Sequence, residues 1–172
     1  MRGFTGAEIF RVGNKSTTCD CLILACGNTL RGDDGVGPWL ASWAEQRFAD
    51  DPRVRVKTQM QWTPELAEEV TACSAVIFVD CSATASPGEI ELNEVQAASG
   101  DSTAGTHHLD AGQLLALSLE LYGRAPASAQ MLSVGAGSTE LGEGFSEPVK
   151  AALPQACATL EQAAMRALDR CS

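Results

Sequence analysis

Apolar residues recur along this chain with two different periods, and the switches between them predict its elements. Residues 21–26, CLILAC, are continuously apolar and stop at Gly27-Asn28, the pattern of a buried strand running into a loop. After the loop GNTLRGDDGVG, Pro38 suits a helix's first turn, and Trp39, Leu40, Trp43 and Phe48 recur near helical spacing, which predicts a helix over about 37–49. Val54 and Val56 flank Arg55 as an alternating strand, Pro64 opens a helix through PELAEEVTAC, and AVIFV, residues 75–79, is again apolar throughout. Pro87-Gly88 turns the chain into EIELNEV, whose alternation marks a more exposed strand. Leu114, Leu115, Leu117, Leu119 and Leu121 mark a helix over about 110–122, and MLSVGAG is a last short strand. PVKAALPQACATLEQAAMRALDR closes the chain as an amphipathic helix, with Pro154 near its start or kinking it. AASGDSTAGT, residues 97–106, reads as a mobile loop, and residues 1–20 offer only a short strand at AEIFRV.

Strands apolar on both faces, alternating with helices, suit a parallel sheet covered on each side. The expected fold is α/β, an open, doubly wound, three-layer α-β-α sheet.

Length and composition narrow the class. The 172 residues match one domain spanning 1–172, and 45% hydrophobic with 20% charged residues is the balance of an ordinary globular protein. A net charge of −10 repels phosphate backbones and anionic headgroups, so nucleic acid is not an expected partner. No secretory signal opens the sequence and no apolar run approaches membrane-spanning length, so a cytoplasmic protein without a membrane partner is expected. With seven cysteines and no CxxC pair, reduced thiols are expected rather than a zinc site.

Three constellations offer chemistry. Asp33 and Asp34 lie between glycines after the first strand, where parallel sheets bind ligands; their alternative is capping of the following helix. Two carboxylates there would repel a pyrophosphate, and GNTLRG is not GxGxxG, which counts against a nucleotide. Asp80 ends the run AVIFV, placed to serve a site or to form a turn. His107 and His108 are the only histidines, and one imidazole with two carboxylates makes an incomplete metal-binding set with open positions; a ligand-free surface pair is the alternative.

GNTLRGDDGVG, VDCSATASPGEI, THHLDAGQLLAL and SVGAGSTELGEGFSEPV resemble, in this order, the sequence blocks of hydrogenase maturation proteases. The resemblance runs from about Cys21 to the last helix and leaves residues 1–20 as an apparent N-terminal extension. It implies a twisted five-stranded sheet between helices, with Asp34, Asp80 and His107 as nickel ligands and catalytic residues; His108 adjoins His107, and the register of LLAL favours His107. Cys81, directly after Asp80, departs from the family pattern.

The implied activity is that of an endopeptidase removing the C-terminal tail of a nickel-iron hydrogenase large-subunit precursor after nickel insertion. The implied nickel is supplied by the precursor, with none tightly bound in the free enzyme, and a monomer is expected. The loops around Gly27–Gly37 and Ala97–Thr106 would cradle the tail. A non-proteolytic nickel-sensing chaperone with the same ligands is the alternative function. A metal-polarised carbonyl, metal-bound hydroxide and a carboxylate base all fit these residues, whereas no GxSxG supports a serine nucleophile.

Overall fold

Continuously apolar runs become the inner strands. The computed structural model describes residues 19–99 and 109–171. Among these, strands β1 (Cys19–Cys26), β2 (Val54–Gln59), β3 (Cys73–Ser82), β4 (Ile90–Glu94) and β5 (Ser128–Gly135) form one sheet in the order β2-β1-β3-β5-β4. Only β4 runs antiparallel to its neighbour. It follows the Pro87-Gly88 turn and lies at an edge, where its alternating charged residues meet solvent.

Side chains alternate across the strands and so create two cores. Ile23, Ala25, Ile77, Val79, Leu132 and Val134 pack on one face beneath α1 (Val36–Arg47) and α4 (Glu147–Cys171). Leu22, Leu24, Cys26, Val76 and Phe78 pack on the other beneath α2 (Leu66–Thr71) and α3 (Ala111–Tyr122). Trp62 meets Phe78 edge-on in this second core, with ring centroids 5.2 Å apart.

The three-layer expectation agrees with this arrangement, and several boundaries differ. A 3₁₀ turn over Gly32–Gly35 precedes α1. The helix expected from Pro64 through Cys73 spans only Leu66–Thr71, and Cys73 already belongs to β3. Along α3, Leu114 and Leu115 are buried while Leu119 and Leu121 are exposed, since the far end of the helix overhangs the core. Pro154 is the eighth residue of α4, where it removes the N–H that would bond the Lys150 carbonyl.

Cys73 is disulfide-bonded, which corrects the expectation of reduced thiols throughout; Cys21, Cys26, Cys81, Cys157 and Cys171 are free. A bond between two sulfurs depends on their meeting in space, which chain spacing does not encode. The strand proposed at AEIFRV and residues 100–106 of the proposed mobile loop fall outside the described residues.

Candidate active site and its metal-ligand geometry

From β1 the chain moves outward through α1 to β2, then crosses through α2 to β3 on the opposite side of β1. The strand order thus reverses between β1 and β3, and the crevice at their carboxyl ends is where such sheets bind ligands. Asp34 follows β1, and Asp80 lies two residues before the end of β3.

Two glycines bring these acids together. Gly27 adopts φ +141°, and a β-carbon on it would stand 2.0 Å from the Asp34 carbonyl oxygen. A β-carbon on Gly37 would stand 2.1 Å from the Cys26 carbonyl oxygen and 3.1 Å from that of Val79. The first turn of α1 therefore lies flush on the ends of both strands, and Asp34 is pressed against the crevice.

The carboxylates are held by few bonds. The Asn28 N–H donates to Asp34 Oδ2 at 2.9 Å, and the Cys81 thiol donates to Asp34 Oδ1 at 3.3 Å. The Cys81 N–H donates to Asp80 Oδ1 at 2.7 Å. One donor atom from each of Asp34, Asp80 and Cys81 lies within 4.8 Å of the others. Burial raises the Asp80 carboxyl from 3.8 to about 6, the Asp34 charge pushes the same way, and the Cys81 N–H opposes them. Burial and both neighbouring carboxylates likewise push the Cys81 thiol up. The Cys26 thiol, raised to about 12 chiefly by burial, donates to the Met60 carbonyl at 3.3 Å.

Asp33 serves differently from its neighbour. It is fully buried, and it accepts from the N–H groups of Gly137 (2.7 Å), Ser138 (3.0 Å) and Ser146 (2.7 Å) and from Ser146 Oγ (2.7 Å). Burial alone would raise its carboxyl, but these four donors outweigh burial and hold it below its ordinary value. Neither Asp33 nor Asp34 caps α1, whose N-cap Gly35 has no side-chain bond, so the capping alternative is set aside. Asp33 instead fastens the first loop to the loop after β5. Backbone bonds from Gly32 N–H to Gly142 O (2.8 Å) and from Gly142 N–H to Leu30 O (3.0 Å) reinforce that join.

Between the two joined loops lies a cleft of 420 Å³, lined by Leu30, Pro38, Trp39, Glu143 and Phe145 among others. The Trp39 and Phe145 rings meet edge-on across it, 6.4 Å between centroids. Gly32 and Gly35, which flank the acidic pair, also line it.

The structure thus brings together two of the three expected ligands, Asp34 and Asp80. His107 and its neighbour His108 lie outside the described residues. Asp110 caps α3 through a capping box with Gln113, and α3 packs on the same sheet face to which Phe78, and two residues later Asp80, point. The sequence reading missed Asp33's role and the thiol of Cys81 within the site. Signals for both existed, in the glycine- and serine-rich block around 135–146 and in the cysteine following Asp80.

No protein-family model and no curated protein matches the sequence. Solved structures do. The hydrogenase maturating endopeptidase HybD from E. coli superposes with a TM-score of 0.69 and 22% identity, covering 85% of this chain and 91% of that one. The fold is that of the hydrogenase maturation endopeptidases. The [NiFe] hydrogenase maturation protease HybD from Thermococcus kodakarensis gives a TM-score of 0.60 at 23% identity, over 83% of this chain and 97% of the other. HycI from the same archaeon gives 0.62 at 22% identity, over 87% and 92%. At these identities the endopeptidase likeness is one of architecture, spanning nearly the whole of each relative.

Proposed function

We propose that this protein is an endopeptidase that removes the C-terminal tail of a nickel-iron hydrogenase large-subunit precursor once nickel has been inserted. The observation that carries the reading is the convergence of Asp34 and Asp80 at the switch point of a sheet that maturation endopeptidases share. Asp34, Asp80 and His107 are the ligands assigned to the precursor's nickel. Three side chains leave positions for donors from the client, so an incomplete set distinguishes a loaded precursor from an empty one. Nickel arrives with the client, and the free enzyme holds none tightly.

Gripping the ion fixes the precursor's adjoining chain at the crevice, and this positioning converts hydrolysis into a reaction between held partners. Held there, the ion would supply Lewis acidity toward the scissile carbonyl or a bound water, and a carboxylate beside it would take the proton of the attacking water. The cleft of Leu30, Trp39 and Phe145 is the place for the tail, with the loop after β5 as its second wall. The reading includes a monomer acting in the cytoplasm; among the described residues no helix is long and apolar enough to cross a membrane.

The test is incubation of purified protein with nickel-loaded precursor, followed by mass spectrometry of the large subunit. Loss of the tail with wild type, and its retention with Asp34→Ala, Asp80→Ala and His107→Ala, is expected. Binding without cleavage would instead identify a nickel-sensing chaperone. Full processing by all three variants would remove the ligand assignment.

A further inference from the structure

Asp80 and Cys81 are consecutive in β3, so their side chains leave the strand toward opposite faces. Near the strand's end both nevertheless reach Asp34, which projects from the 3₁₀ turn against the crevice. Two donors bound to one ion through bonds of about 2.0–2.3 Å stand at most about 4.6 Å apart. Carboxylate oxygens and a sulfur already within 4.8 Å of one another need to move only slightly to share an ion.

A second observation points the same way. Asp34 and Asp80 are both partly removed from water, yet among the described residues neither forms an ion pair with lysine or arginine. Half-buried carboxylates without a cation are costly, and here the group turned toward them is a thiol, itself a metal ligand. Cys26, the other thiol nearby, is committed to the Met60 carbonyl.

We propose that Cys81 is a further donor to the cation held by Asp34 and Asp80, and that its sulfur makes the site select thiophilic divalent cations over magnesium and calcium. On coordination the S–H bond breaks, its proton passes to solvent, and the electron pair left on the thiolate sulfur bonds the ion. Two carboxylates alone form a hard site suited to magnesium, calcium or manganese; the imidazole assigned with them favours nickel and zinc, and a thiolate strengthens that preference and extends it to cadmium. The inference rests on Asp34 and Asp80 being ligands, as the proposed function has it, and adds a residue that sharpens which ion they accept.

Cobalt(II) titrated alone, up to millimolar, into the full-length protein with the Cys73 disulfide intact tests this. Wild type is expected to develop a near-ultraviolet sulfur-to-cobalt charge-transfer band that Cys26→Ser retains and Cys81→Ser loses. Affinity for cobalt and cadmium should fall at least about tenfold in Cys81→Ser, while that for magnesium changes little. No band in wild type, or an unchanged band in Cys81→Ser, overturns the proposal.

If Cys81→Ser fails to fold, Cys81→Ala and cadmium NMR of the wild-type protein replace it; a resonance in the all-oxygen range also overturns the proposal. Asp34→Asn and Asp80→Asn separate the two readings. Loss of cobalt binding in these but not in Cys81→Ser refutes only the role of Cys81. Processing of precursor by both, with the band still dependent on Cys81, refutes the proposed function's ligand set instead.

Discussion

Two adjacent aspartates, Asp33 and Asp34, have opposite duties, and their surroundings rather than their chemistry assign them. Four donors converge on Asp33, which makes its charge structural. Replacing it with asparagine turns an amide NH₂ toward N–H groups and strands at least one donor. A loss of about 3–5 kcal/mol in urea unfolding at pH 7 is expected. Because this carboxyl is held below its unfolded value, its contribution is present above about pH 4 and fades as pH falls through the folded value. The gap between variant and wild type should therefore narrow toward acid. Asp80 behaves in the opposite sense. Its folded value of about 6 exceeds the ordinary 3.8, so the unfolded chain ionises first and stability is lost as pH rises between the two. Asp80→Asn should then raise the stability of chelator-treated protein at pH 7 by up to about 3 kcal/mol, leave it unchanged at pH 3, and abolish processing. Equal stability gains at both pH values would show that burial of this charge is not the cause. A residue that costs stability where it sits is what a site awaiting a cation requires.

At the level of elements, the crevice depends on how tightly α1 lies on the strand ends. Gly37→Ala forces a methyl group to 2.1 Å from the Cys26 carbonyl oxygen, so the helix must lift and carry Asp34 away from Asp80. A destabilisation of about 3 kcal/mol in urea unfolding, together with loss of precursor processing, is expected. At the start of α3, Asp110 accepts from the Gln113 N–H at 2.7 Å, and the Asp110 N–H donates to Gln113 Oε1 at 2.9 Å. Asp110→Ala should cost about 1 kcal/mol in thermal or urea unfolding, the ordinary worth of a helix cap. Most of these elements were legible beforehand. The runs CLILAC and AVIFV, and the Pro87-Gly88 turn before β4, carry their structure in local pattern. The 3₁₀ turn over Gly32–Gly35 was not, because a loop of glycines and acids takes its shape from what it is pressed against.

Across the whole molecule, two cores share one sheet, and neither has a strand of its own. They should therefore unfold together. Trp39 and Trp43 sit in α1 on one face, whereas Trp62 packs on Phe78 on the other, so single-tryptophan variants report each layer separately. Coincident urea midpoints for both reporters and for far-ultraviolet circular dichroism are expected, and separated midpoints would mean that the layers melt independently. The α/β class, the strand and helix order and the candidacy of Asp34 and Asp80 lie within the sequence, because hydrophobic period and punctuation are local properties of a chain. Which strands become neighbours, that Asp33 fastens two distant loops while Asp34 faces the crevice, that Cys73 is bonded and that Cys81 joins the acids were decided only by the packed molecule. Each of these depends on distances between residues dozens of positions apart, set by how helices settle on a sheet.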